Sequence, residues 1–126
     1  MRSPLIVAAS LLVIPATARA QSWKEVGKTP SKTVVSVDTK SVKRGGDTVM
    51  AVMRARFAEP NGDGVTSMKT TLTFNCATEK YLVRENISYA GTRVAKKSVP
   101  AKPGYGVVFG GSATAVAYAY LCPKKP

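Results

Sequence analysis

The chain has 126 residues, with 19 Lys and Arg against 7 Asp and Glu, no histidine, and a formal net charge of +12. The missing histidines exclude Ser-His-Asp and Cys-His nucleophiles and the usual zinc sites. The basic excess points to anionic partners, with solubility alone as the competing explanation.

The first twenty residues read as a signal peptide. Met1-Arg2 supplies the positive start, Leu5 to Pro15 an apolar run, and Ala18-Arg19-Ala20 the small residues before cleavage at Gln21. The apolar run is shorter than the roughly 20 residues of a membrane anchor, and no later stretch is long and apolar enough to span a bilayer. Position 21 is Gln rather than Cys, which rules out lipid attachment at this site. An exported protein, periplasmic or secreted and not a lipoprotein, is expected, with residues 21–126 forming one domain of about 106 residues.

Trp23-Lys24-Glu25-Val26 predicts a first strand and Gly27 to Ser31 a turn. Thr33 to Asp38 is rich in β-branched residues and predicts a second strand. The Asp38 carboxylate can then cap a short turn through Thr39 to Val42. Lys43 to Asp47, with two glycines, predicts a hairpin loop. Thr48 to Ala58 predicts the longest strand, with Val49, Ala51, Met53, Ala55 and Phe57 on one face against Met50, Val52, Arg54 and Arg56.

Glu59 to Gly64 is a loop by composition. Met68, Thr70, Leu72, Phe74 and Cys76 then alternate with polar residues, the pattern of a half-buried strand. Tyr81 to Tyr89 predicts a fifth strand with Tyr81, Val83, Ile87 and Tyr89 inward, although Glu85 falls on that same face. Ala90-Gly91 turns the chain into a sixth strand, Thr92 to Val99, which Pro100 to Pro103 ends. Gly104 to Gly111 leads to Ser112–Cys122. That segment also alternates as a strand would, through Thr114, Val116, Tyr118, Tyr120 and Cys122. Its alanines and the Ser112 N-cap favour a helix with Ala115, Tyr118, Ala119 and Cys122 on one face.

Cys76 ends the alternating strand and Cys122 ends the helix. In an exported chain they are expected to form one disulfide, which by closing about 47 residues contributes roughly 4 kcal/mol in the chain-entropy model. The expected architecture is a sheet face joined to a short helix by this bridge.

Glu59-Pro-Asn-Gly-Asp-Gly64 resembles the opening of a calcium loop, but its twelfth position is Thr70 instead of Glu. A plain hairpin loop is expected. The glycines from Gly104 to Gly111 match neither phosphate-binding signature and are read as turn-formers. Asn86-Ile87-Ser88 is a glycosylation sequon set inside a strand, which argues against its use. The carboxylates are scattered, so neither an enzyme nor a metal or other cofactor is expected. Arg93, Lys96, Lys97, Lys102, Lys124 and Lys125 concentrate positive charge in the last third and are the candidates for binding an anionic partner, a solvated basic face being the competing reading. Along the chain they are not interleaved with aromatics, which argues against nucleic acid.

The order of these features resembles the surface-adhesin protein E family of exported proteobacterial domains. The matching residues are Trp23, Val37-Asp38 followed by Ser41-Val42, and a long strand after a glycine turn. They continue with Cys76, Tyr81, Tyr89-Ala-Gly91-Thr-Arg-Val94, Gly111-Ser112 and Cys122. The resemblance implies an α+β domain, a curved six-stranded antiparallel sheet with a short C-terminal helix tethered by Cys76–Cys122. It also implies adhesion to host extracellular matrix proteins, and dimer formation. The family pattern has Trp and Pro before Gly-Ser where this chain has Phe109 and Gly110, and the lipidation cysteine is absent. The expected function is a non-catalytic exported binding domain, adhesin-like toward matrix proteins or anionic surfaces. The alternative is a periplasmic envelope-binding or inhibitor protein with no adhesion role.

Overall fold

In the computed structural model residues 20–123 are described. The expected signal peptide up to Arg19, and Lys124 and Lys125, lie outside them.

Alternation of apolar and polar residues produces strands β1 (Trp23–Lys28), β2 (Val34–Asp38), β3 (Lys43–Gly45), β4 (Thr48–Arg56), β5 (Ser67–Asn75), β6 (Lys80–Ala90), β7 (Arg93–Ser98) and β8 (Gly106–Val107). One helix, α1 (Ala113–Leu121), follows. All strand pairings are antiparallel. The main path runs β1-β2-β4-β5-β6-β7, with β3 added on β4 and β8 on β6. The α+β class and the tethered helix are as expected, but the described residues form eight strands, not six. Two segments expected as loop supply the difference. Lys43, Arg44 and Gly45 pair with Met50, Val49 and Thr48, and Gly106 and Val107 pair with Tyr81 and Lys80. Both are too short to carry a readable alternation. The longest strand is the eleven-residue β6, not the nine-residue β4.

Between β2 and β3 the chain makes a single helical turn, Thr39–Ser41, capped by Asp38. Asp38 Oδ1 accepts from Lys40 N at 3.1 Å and also from Ser22 N at 3.0 Å, tying down the start of the domain. Ser41 Oγ accepts from Val52 N at 2.8 Å, standing in for a missing strand partner.

The core lies between one sheet face and α1. It contains Val35 and Val37 of β2, Val49, Ala51 and Met53 of β4, Leu72 and Phe74 of β5, and Ala117, Leu121 and Cys122. Each fully buried Val, Leu or Phe contributes about 1.5–3 kcal/mol relative to exposure. The helix packs over β1, β2 and β4. A Cβ on Gly27 would lie 2.8 Å from Val116 Cγ1, so the helix approaches β1 closely only because position 27 has no side chain.

Both helix ends are secured. Ser112 Oγ accepts from Ala115 N at 3.1 Å, as its N-cap role requires. At the other end Arg44 Nη1 donates to the Leu121 carbonyl at 2.8 Å, which suits a cation at a helix C-terminus. The Cys76–Cys122 disulfide, with Cα atoms 5.4 Å apart, fixes the helix to the end of β5. Tyr118 Oη donates to the Cys76 carbonyl at 3.1 Å, and its ring meets Phe74 edge-on at 5.5 Å. The buried side of α1 differs from the one expected: Ala117 and Leu121 are fully buried, whereas Ala119 is exposed. The small Ala117, not the Ala115–Ala119 pair, faces the β-branched floor.

A second correction concerns β6. Thr71 pairs with Glu85 but Leu72 pairs with Val83, leaving Arg84 as an extra residue. Such a bulge reverses which face the side chains take. Tyr81 and Val83 therefore share the helix face with Phe74 and Leu72, while Ile87 and Tyr89 point to the opposite, outer face. Glu85, anomalous when the strand is read as one uninterrupted alternation, stands on that outer face with them.

Candidate functional site

Because the apolar residues of β2, β4 and β5 turn toward α1, their polar neighbours form the outer face by parity. Across its middle run Glu25, Ser36, Arg54, Lys69, Ile87 and Lys97, each paired with the next in the ladder. The small Ser36 lets the long Arg54 side chain reach past β2 to β1, where its guanidinium carbon lies 4.5 Å from the centre of the Trp23 ring. On the other side Lys69 Nζ lies 6.0 Å from the centre of the Tyr89 ring. Contacts of this kind contribute about 0.5–2 kcal/mol each, depending on desolvation.

Trp23, Arg54, Ser67, Lys69, Tyr89 and Thr92, with Gln21 and Gly91, line a shallow depression of about 290 Å³. The Arg54 pKa is lowered, first by burial and then by the neighbouring charge of Arg56. Among the described residues the ion pair found is Lys97 with Glu85, at 3.5 Å. Arg54, Arg56 and Lys69 thus share a face on which the carboxylates Glu25 and Glu85 also stand, yet none of the three forms an ion pair with either among the described residues. The depression can hold a small anion against two fixed cations, with hydroxyl groups at its edge.

The structure does not gather the described members of the predicted basic group into one cluster. Ala95 is an extra residue in β7, so Arg93 and Lys96 lie opposite Ala90 and Ser88 on the helix face, whereas Lys97 lies opposite Ile87 on the outer face. All residues of β7 are exposed, and Lys102 sits in the exposed loop that follows. Lys124 and Lys125 lie outside the described residues. The missed residues are Trp23, Arg54, Lys69 and Tyr89. Aromatic and basic side chains are interleaved after all, but across the sheet and not along the chain.

Two of the other concavities are lined by residues of β4 and β5. One, of about 420 Å³, lies on the helix face beside the start of α1 and is lined by Met53, Phe57, Met68, Thr70, Val83, Asn86 and Ala113, among others. The other, about 700 Å³, is edged by Gln21, Lys40, Lys43, Met50, Val52 and Thr71. In the loop once compared with a calcium site, Asn61 Oδ1 accepts from Asp63 N at 2.9 Å and Val65 N at 3.0 Å, closing a plain hairpin connection. No helix among the described residues is long and apolar enough to cross a membrane.

A family model described as surface-adhesin protein E matches residues 23–122. No curated protein matches the chain. Among solved structures it is similar to crystal form II of Haemophilus influenzae protein E. The TM-score is 0.52 at 13% identity, over 75% of this chain and 84% of that one. At that identity the likeness speaks for the fold alone. The family match begins at the first residue of β1 and ends at the second cysteine of the bridge, taking in every strand and the helix. On that extent the chain belongs to the surface-adhesin protein E family.

Proposed function

We propose that this protein is an exported, non-catalytic binding domain that adheres to host extracellular matrix proteins or anionic surfaces. The observation that carries this is the adhesin-family match over residues 23–122. The internal disulfide fits an oxidising compartment. Both cysteines are consumed by it, so neither offers a thiolate.

The charge suits the same reading. With 17 Lys and Arg against 7 Asp and Glu in residues 21–126, a formal +10 draws anionic partners toward the domain from a distance set by salt. Arg93, Lys96, Lys97 and Lys102, together with Lys124 and Lys125, would supply a diffuse attraction, since exposed charges act weakly one by one. A homodimer, as in the family reading, would double whatever surface binds and raise avidity.

Labelling of intact cells tests this directly. An adhesin must be reached by antibody or protease without permeabilising the cells. Exclusive protection behind the outer barrier would instead favour an envelope-binding or inhibitor protein.

A further inference from the structure

We propose that the outer-face depression between Trp23 and Tyr89 is a binding site for an acidic sugar, whose sulfate or carboxylate lies between Arg54 and Lys69. The adhesin reading supplies the setting in which such a glycan is met; the site itself rests on the geometry.

The first argument is electrostatic. Arg54 and Lys69 are directly paired across β4 and β5, where side chains of like charge repel. Arg56 stands two residues further along the same face and adds to the repulsion. None of the three makes an ion pair among the described residues. An anion placed between the first two converts that repulsion into two charge-assisted contacts, and the planar guanidinium suits a sulfate or carboxylate.

The second argument is preorganisation. Arg54 rests on the Trp23 ring at 4.5 Å, so part of the side-chain freedom that binding would otherwise remove is already gone. The third is the rim. Ser67, Thr92 and Gln21 carry hydroxyl and amide groups suited to the hydroxyls of a sugar ring. A volume of about 290 Å³ lies at the small end of ligand sites, the scale of one sugar unit more than of an extended chain.

The same features disfavour single-stranded nucleic acid. Successive bases need open aromatic platforms along a groove. Here Arg54 lies over the Trp23 ring of β1, and Tyr89 sits on β6 with β2, β4 and β5 between them. A lipid surface is also a poorer fit, because the rim is polar.

The test is binding of a heparin oligosaccharide to the mature protein at low and high salt. Wild type is compared with Arg54→Gln/Lys69→Gln and with Lys96→Gln/Lys97→Gln, which removes the same charge from β7. The outer-face pair should weaken binding about tenfold or more, the β7 pair less than about threefold. Equal losses would reduce the effect to net charge and overturn the site, as would an absence of wild-type binding at low salt. Tighter binding of a single-stranded oligonucleotide or an anionic vesicle than of the oligosaccharide would overturn the ligand class. Lys69→Gln alone keeps the Arg54–Trp23 contact and carries the test should the double variant fail to fold. Adhesion to matrix proteins that survives loss of Arg54 and Lys69 would sink the site and leave the adhesin reading standing. Site-dependent heparin binding by a protein never exposed on cells would do the reverse.

Discussion

Arg54 of β4 stands directly opposite Lys69 of β5, and each reaches an aromatic ring instead of an acid: Trp23 at 4.5 Å and Tyr89 at 6.0 Å. Like charges in that position oppose folding, yet the strands hold them there. The fold is secured from the other face, where the core, the helix and the disulfide lie. The outer face is thereby left to carry charge that the sheet's own stability does not require.

Replacing Lys69 by Glu should therefore stabilise the protein. An acid opposite Arg54 turns repulsion into a cross-strand ion pair, with an expected gain of about 0.2–1 kcal/mol. Urea midpoints of the two proteins, at equal m-value, measure it. The same change should abolish heparin binding, separating stability from function.

Reduction of Cys76–Cys122 should lower stability by roughly 4 kcal/mol in the chain-entropy model. Denaturation with and without reductant checks the size. Replacing Tyr118 by Phe should cost about 1 kcal/mol in the oxidised protein, because the Cys76 carbonyl loses its donor.

Gly27→Ala should destabilise by about 1–3 kcal/mol, since the new methyl meets Val116 at 2.8 Å. Shortening Val116 to Ala should recover much of the loss in the double variant. A thermodynamic cycle measures that coupling, and strict additivity would contradict the close approach.

Arg44→Met should cost about 1 kcal/mol by freeing the Leu121 carbonyl at the end of α1. The loss should shrink as salt is raised, which unfolding at two ionic strengths would register.

Much of this fold was legible in the residues. The alternation of β4 and β5, the Asp38 cap, the Ser112 cap and the pairing of two cysteines are local signals, and the structure contains all four. What the residues hid was register. The extra residue at Arg84 reverses the outer half of β6, and nothing near it in the chain marks a bulge. Only an acid on a face assigned as inward, Glu85, hinted at the reversal. The β7 bulge likewise splits Arg93 from Lys97, which an unbroken alternation would put on one face. Trp23, Arg54, Lys69 and Tyr89 come from four strands, so their convergence exists only once those registers are set. Composition located the charge but not the surface it forms.

The central claim, an adhesin-like binding domain, is tested most directly by measuring adsorption of the purified mature protein to immobilised extracellular matrix proteins. The account predicts saturable binding that weakens as salt rises and that falls when Arg54 and Lys69 are both neutralised. No saturable binding to any matrix protein at low salt, by a protein whose disulfide is intact, would contradict it.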